Sequence, residues 1–154
     1  MSPTIATTTD VDREGMLEFI RPRHRMVLST RRRDGAAQMS PVAGGVDDEG
    51  RIVIATYPER DKVANLRRDA QASVMVLSDE FNGAWIQIDG TAEVLDLPEA
   101  LAPLVDYFRA ISGEHDDWDE YREAMTRQGK SLVRITPERW SPIATGGFPP
   151  RLAA

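Results

Sequence analysis

Between Ile52 and Asp69 the chain reads IVIATYPERDKVANLRRD, and within that stretch its apolar spacing changes period. Ile52-Val53-Ile54-Ala55 is a short β-branched run of the kind that forms a buried strand. Tyr57-Pro58-Glu59 breaks it, and from Asp61 the apolar positions fall at Val63, Leu66 and Ala70, a helical spacing. Any fold for this chain must therefore lead a buried strand directly into a helix. The start of a helix carries backbone N–H groups without partners and the positive end of the dipole, so it favours anions. Thr56 ends the strand, Arg60 precedes the helix, and Lys62 and Asn65 stand three apart on one helical face. Only two lysines occur in the chain, Lys62 and Lys130, although arginine is plentiful. Two readings of the junction follow from spacing alone. It is a phosphate clamp, or it is a patch of solvated charge offset by Glu59 and Asp61.

The flanking sequence supplies more strands. Met26 to Thr30 reads as a strand, and Arg31-Arg32-Arg33-Asp34-Gly35 as the hairpin turn after it, with Asp-Gly as the turn signal. The three arginines at that tip are read as solvated charge rather than as a site. A second strand covers Gln38 to Val46, and Asp47-Asp48-Glu49-Gly50 returns the chain into the strand that ends at Thr56. Gly44 and Gly45 inside the second strand predict a bulge or a close backbone approach to a ligand. After the helix, Ser73 to Leu77 and Ala84 to Leu95 are further strands, the latter with a kink expected at Gly90. Trp85, Gln87 and Asp89 alternate there with Ile86 and Ile88, giving one polar and one apolar face.

Helices are expected on either side of this array. Asp10 or Asp12 can cap a first helix carrying Met16, Phe19 and Ile20 and stopping near Pro22. Pro98 to Ile111 carries the stripe Leu101, Leu104, Val105 and Phe108, and Asp116 or Asp117 can cap a further helix over Trp118 to Gln128. Leu132 to Thr136 is the last strand. Residues 1–9 read as a loose tail, and 137–154 as a Pro- and Gly-rich C-terminal segment. Antiparallel strands with one helix inserted after the third and a helix pair before the last fit a small β-barrel with helices outside it.

Composition narrows the function. At 154 residues one domain, 1–154, is expected, with one core. A net charge of −6 and a pI near 5.0 argue against nucleic acid or an anionic membrane as the main partner. Cysteine is absent, which removes disulfides, thiolate metal sites and a cysteine nucleophile. The N-terminal residues have no signal-peptide pattern, and a cytoplasmic location is expected. His115 stands beside Asp116, Asp117, Asp119 and Glu120, but without a second nearby histidine these acids read as helix capping, and no metal is expected.

The phrase R-D-K-V-A-N-L-R-R-D at Arg60 to Asp69, with A-T-Y-P-E before it and A-S-V-M-V after, resembles the deazaflavin-dependent branch of the FMN-binding split β-barrel superfamily, whose relatives include the pyridoxamine 5′-phosphate oxidases. Gly113 to Met125, G-E-H-D-D-W-D-E-Y-R-E-A-M, is similar to the same branch. The resemblance runs from about Met26 to Thr136. It implies a split β-barrel homodimer with a cofactor in the seam between subunits. It also implies that Arg60 and Lys62 grip the cofactor phosphate, with Thr56 bonding the phosphate or ring edge and Asn65 supporting from the helix. Gln38, Ser40 and Val42 fall on the strand along which the family lays the ring. Trp85 remains open between a core aromatic and a residue facing the partner's cofactor.

Two departures bear on the cofactor. The oxidases carry a lysine near the place of Ala43, and they keep arginine and lysine adjacent where Asp61 separates Arg60 from Lys62 here. Both point toward the 8-hydroxy-5-deazaflavin coenzyme F420 rather than FMN. The resemblance thus implies an oxidoreductase passing a hydride from reduced F420 to an electron-poor conjugated acceptor. An FMN-dependent oxidase or reductase, and a non-catalytic F420 carrier, are the alternatives.

Overall fold

The computed structural model describes residues 4–153. Its elements in order are β1 (Thr7–Thr9), α1 (Arg13–Ile20), β2 (Arg25–Arg31), β3 (Ala37–Val46), β4 (Ile52–Thr56), α2 (Asp61–Arg68), β5 (Gln71–Val76), β6 (Ile86–Leu95), α3 (Leu101–Ser112), α4 (Trp118–Gln128), β7 (Ser131–Trp140) and β8 (Ile143–Thr145). Six strands close into an antiparallel barrel in the order β2-β3-β4-β7-β6-β5, and β1 pairs with β8 in a separate two-stranded sheet.

Strand β4 is an unbroken apolar run because both of its faces are covered. Ile52 and Ile54 point into the barrel with Leu28, Val74, Ile88, Val133 and Ile135. Val53 points outward and packs with Leu132 beneath Leu104 and Val105 of α3 and Tyr121 of α4. Burying a side chain of this size stabilises by roughly 1.5 to 3 kcal/mol, so β4 lies in the centre of the stabilising contacts. The chain leaves it at Thr56, turns through Tyr57-Pro58-Glu59, and enters α2, which lays Val63 and Leu66 over the barrel mouth. The strand-to-helix switch in the sequence is thus the lip of the barrel.

The barrel closes unevenly. β4 pairs with β7 along its whole length, Ile52 with Ile135 through Thr56 with Ser131. Against β3 it pairs only at Gly44↔Ile54, Gly45↔Val53 and Val46↔Ile52. The rest of β3, residues 37–43, pairs with β2 alone. Antiparallel hydrogen bonding alternates along a strand, and the Gly44 N–H donates to the His24 carbonyl at 2.9 Å, so Gln38, Ser40 and Val42 direct their backbone groups to β2. Met39, Pro41 and Ala43 turn theirs toward the split. A proline without an N–H is at home on such an open edge.

Several expectations are corrected. The tail over residues 4–9 is tied down: Thr7–Thr9 pair with Ile143–Thr145, and the Thr7 N–H donates to Thr145 Oγ1 at 3.0 Å. Residues 1–3 and 154 of the expected terminal segments lie outside the described residues. The last strand runs on to Trp140, well past Thr136, because Pro137 to Trp140 continue to pair with β6. β5 covers Gln71–Val76 rather than Ser73–Leu77, and β6 begins at Ile86 rather than Ala84, since Trp85 forms an isolated bridge to Ala144. α3 begins at Leu101, after a turn holding the cis Leu97–Pro98 bond. Gly90 is the expected irregularity, a register shift after Asp89 where a Cβ would run into the Thr136 carbonyl. Gly44 and Gly45 show no register shift. Their close approach is internal: a Cβ on Gly45 would lie 2.9 Å from that of Ala110, so the missing side chain lets α3 sit on β3.

Candidate functional site

The clamp begins at the N-terminus of α2. Arg60 is its N-cap residue, in extended conformation, and no side chain caps the helix. The first intrahelical bonds start with the Val63 and Ala64 N–H groups, both to the Arg60 carbonyl, so the N–H groups before them are available to a ligand. Lys62 is half-buried beside them. Burial, and then the Arg60 charge, hold its ammonium below the usual lysine value of 10.5.

A third cation joins from a distance in sequence. Ser131 pairs with Thr56, which brings Lys130 alongside Tyr57. The Lys130 ammonium lies 4.3 Å from the Tyr57 ring centroid, and the Arg60 guanidinium lies 5.7 Å from the same ring. Among the described residues none of Arg60, Lys62 and Lys130 forms an ion pair with a carboxylate, whereas Arg51, Arg67, Arg134 and Arg139 all do. A chain with 25 acidic residues had partners to offer. Three clustered cations without one stand at an uncapped helix start, an arrangement suited to an anion.

Behind the clamp a relay of side chains locks α2 to the strands. Arg68 Nη2 donates to Asn65 Oδ1 at 3.0 Å and to the Arg31 carbonyl at 2.8 Å. Asn65 Nδ2 donates to Thr30 Oγ1 at 3.0 Å, and the Thr30 hydroxyl donates to Gln38 Oε1 at 3.2 Å. Ser40, two residues along β3, has a buried hydroxyl with no partner. An orphaned buried hydroxyl costs roughly 1 to 3 kcal/mol unless something bonds it. Beside it runs the open edge of β3.

A family model described as pyridoxamine 5′-phosphate oxidase matches residues 13–144. The chain belongs to this family. Solved structures share the fold at low identity. A conserved hypothetical protein, Rv2991 of Mycobacterium tuberculosis, superposes with a TM-score of 0.73 at 22% identity, over 91% of this chain and 89% of that one. A protein described as an F420 reductase does so with a TM-score of 0.59 at 17% identity, over 80% and 94%. A putative pyridoxamine 5′-phosphate oxidase from Listeria innocua does so with a TM-score of 0.61 at 15% identity, over 84% and 96%. The chain therefore has the split barrel of the pyridoxamine 5′-phosphate oxidase family, a fold that serves oxidoreductases using flavin-type cofactors.

Within that fold the residues singled out in the sequence fall into three groups. Arg60 and Lys62 meet at the clamp, with Thr56 buried at the strand end directly before it. Gln38 and Asn65 are linked to each other through Thr30, behind the clamp. Ser40 and Val42 stand half-buried on the part of β3 that has left β4. Trp85 belongs to neither place. It lies near the opposite end of the barrel, roughly 30 Å along β6 from the mouth that α2 covers. There its backbone bonds Ala144 in both directions at 3.0 Å, and its ring lines a cavity of about 440 Å³ with Phe81, Asn82 and Gly147. Sequence reasoning missed Lys130 and Tyr57 as site residues. Lys130 had one signal, as one of only two lysines. His115 has a structural place: its Nδ1 accepts from the Asp117 N–H at 2.9 Å, and its ring meets Phe108 edge-on.

Proposed function

We propose that this chain is a reductase using the deazaflavin coenzyme F420, acting on an electron-poor conjugated organic acceptor. The observation that carries the reading is the cluster of Arg60, Lys62 and Lys130, without a carboxylate partner, at the start of α2 and beside the open edge of β3. These residues fit a planar heterocycle with a phosphorylated side chain. Arg60 and Lys62 hold the phosphate together with the free N–H groups of α2, and Lys130 adds charge from across Tyr57. Thr56 closes the floor of the clamp. The backbone groups of Met39 and Pro41 and the orphaned Ser40 hydroxyl offer donors and acceptors to the ring edge. When bound, the reduced coenzyme supplies the hydride, and the protein supplies orientation and a slot from which water is excluded.

Support for F420 over FMN comes from Ala43 standing where the oxidases keep a lysine, from Asp61 between Arg60 and Lys62, and from the F420 reductase among the fold relatives. A second copy of the chain completes the site in this reading. The outer face of β2, β3 and β5 turns Val27, Met39, Pro41 and Met75 to solvent, with Met39 59% exposed, and offers an apolar surface for a homodimer. A partner docked there brings its Trp85 toward the ring.

Fluorescence titration with oxidised F420 and with FMN, on wild type and Lys62→Ala, tests the reading. Micromolar or tighter F420 binding, much weaker FMN binding and a loss of roughly 1.5 to 3 kcal/mol in the variant are expected. Preference for FMN would move the protein to the flavin-dependent alternative, and equal binding by Lys62→Ala would remove the clamp.

A further inference from the structure

The split between β3 and β4 has a cause in the helical excursion. Continuing the register Val46↔Ile52, Gly45↔Val53, Gly44↔Ile54 by one residue would pair Ala43 with Ala55. That pair is missing, although both residues remain in strands, Ala43 on β2 and Ala55 on β7. In its place stands the hydroxyl of Tyr107. It donates to the Ala43 carbonyl at 3.1 Å, and the Ala55 backbone N–H faces the same hydroxyl oxygen. Helix α3 carries Tyr107 there because Gly45 lets Ala110 and Ile111 rest on β3, and Tyr107 lies three and four residues before them on the same helical face.

We infer that Tyr107 is the positioning residue that opens the barrel: its hydroxyl is inserted into the β3–β4 ladder at the missing Ala43–Ala55 pair and sets where the cofactor slot begins. A hydroxyl can donate one hydrogen bond and accept another, so it can satisfy the Ala43 carbonyl and receive the Ala55 N–H that faces it. Past it the strands separate, with Val42 on one side and Thr56 on the other. The slot is thus bounded at one end by Tyr107 and at the other by the clamp. Burial raises the Tyr107 pKa above the usual 10.0, which keeps the hydroxyl protonated and able to donate to Ala43 across the physiological range. The slot role rests on the cofactor reading above, but the inserted hydroxyl does not.

The test compares Tyr107→Phe with Tyr121→Phe in the full chain. Tyr121 is the control, because its hydroxyl donates to the Leu104 carbonyl at 2.8 Å within the helical layer and not to the Ala43 carbonyl. Amide hydrogen exchange at Ala55, melting temperature and F420 affinity are measured on each. In Tyr107→Phe the Ala55 amide is expected to exchange about tenfold faster or more, and F420 to bind about tenfold more weakly. Tyr121→Phe should lower the melting temperature and leave both of those readings alone. Unchanged exchange at Ala55 overturns the insertion, and faster exchange with unchanged affinity overturns its role in the slot. If wild type binds neither F420 nor FMN, the cofactor reading and the slot role fall together, and the exchange result still decides the insertion.

Discussion

Where β6 meets β7, arginines find carboxylates: Arg134 pairs with Glu93, and Arg139 holds Asp89 through Nε at 3.1 Å and Nη2 at 2.9 Å. At the mouth covered by α2, Arg60, Lys62 and Lys130 find a tyrosine ring and bare N–H groups. The first region also lines a cavity of about 560 Å³, with Arg31, Ser73, Gln87, Asp89 and Arg139 in its wall. Size alone would make that cavity the better binding site. Its central pair is satisfied, since Arg139 holds Asp89, which also accepts from Ser73 at 2.7 Å and from Gln87 at 3.2 Å, while Arg31 in the wall has no carboxylate partner among the described residues. The cations at α2 have a tyrosine ring but no carboxylate among the described residues to offset their mutual repulsion. A site can therefore be recognised by charge left uncompensated rather than by volume.

The largest effect expected from breaking this contrast is at Lys62. Lys62→Ala should weaken F420 binding roughly 10- to 150-fold in the titration described above, with little loss of melting temperature. Lys130→Ala should cost less, about 0.5 to 1 kcal/mol or two- to fivefold in Kd by the same titration, because Lys130 approaches from across Tyr57.

Protonation separates the two regions by sign. The folded Lys62 pKa lies below 10.5, so between that lowered value and 10.5 the unfolded chain binds more protons. Stability of the ligand-free protein should rise with pH in that window, while F420 affinity falls as Lys62 loses its charge. Replacing Arg60 by Gln should move both changes to higher pH. On the paired side Asp89 is held below 3.8, by the Ser73 hydroxyl first and with Arg139 contributing. Its stabilising contribution is present above the unfolded value and should be lost as pH falls through the lowered one, which acid titration of the melting temperature reads. The smallest effect is expected for Glu93→Gln, less than about 1 kcal/mol in denaturant unfolding and no change in F420 affinity.

How much of this was legible in the sequence depended on how far apart the partners lie. The strand, break and helix of residues 52–69 were readable because β4 and α2 each write their own period into consecutive side chains. The helix caps were narrowed to Asp10 or Asp12 and Asp116 or Asp117 for the same reason; Asp12 and Asp117 are the caps, accepting from the Gly15 and Glu120 N–H groups at 2.8 and 3.1 Å. Gly44 and Gly45 were read as a bulge or a close approach to a ligand, but β3 shows no register shift there and what approaches Gly45 is α3, sixty-odd residues away. Asn65 shares a face with Lys62 by spacing. Three residues of helix still leave about 60° between them, enough to bury Asn65 against Thr30 while Lys62 stays at the rim. The pairing of Thr7–Thr9 with Ile143–Thr145 joins two segments whose threonines and small residues carry no signal of each other. Lys130 reaches the clamp only because Ser131 is registered on Thr56, a fact of strand order.

Pro41 has a consequence beyond the slot. An open strand edge invites pairing by a strand from any other molecule, and from there sheet extension and aggregation. On the free edge of β3, Pro41 has no N–H to give, and the Ala43 carbonyl is already taken by Tyr107. Ala37 and Met39 still turn backbone groups outward, and the Met39 carbonyl also accepts from Gln38 Nε2 at 3.4 Å, which leaves a short template for a neighbour. The free edge of β3 is thus a poor template for sheet extension.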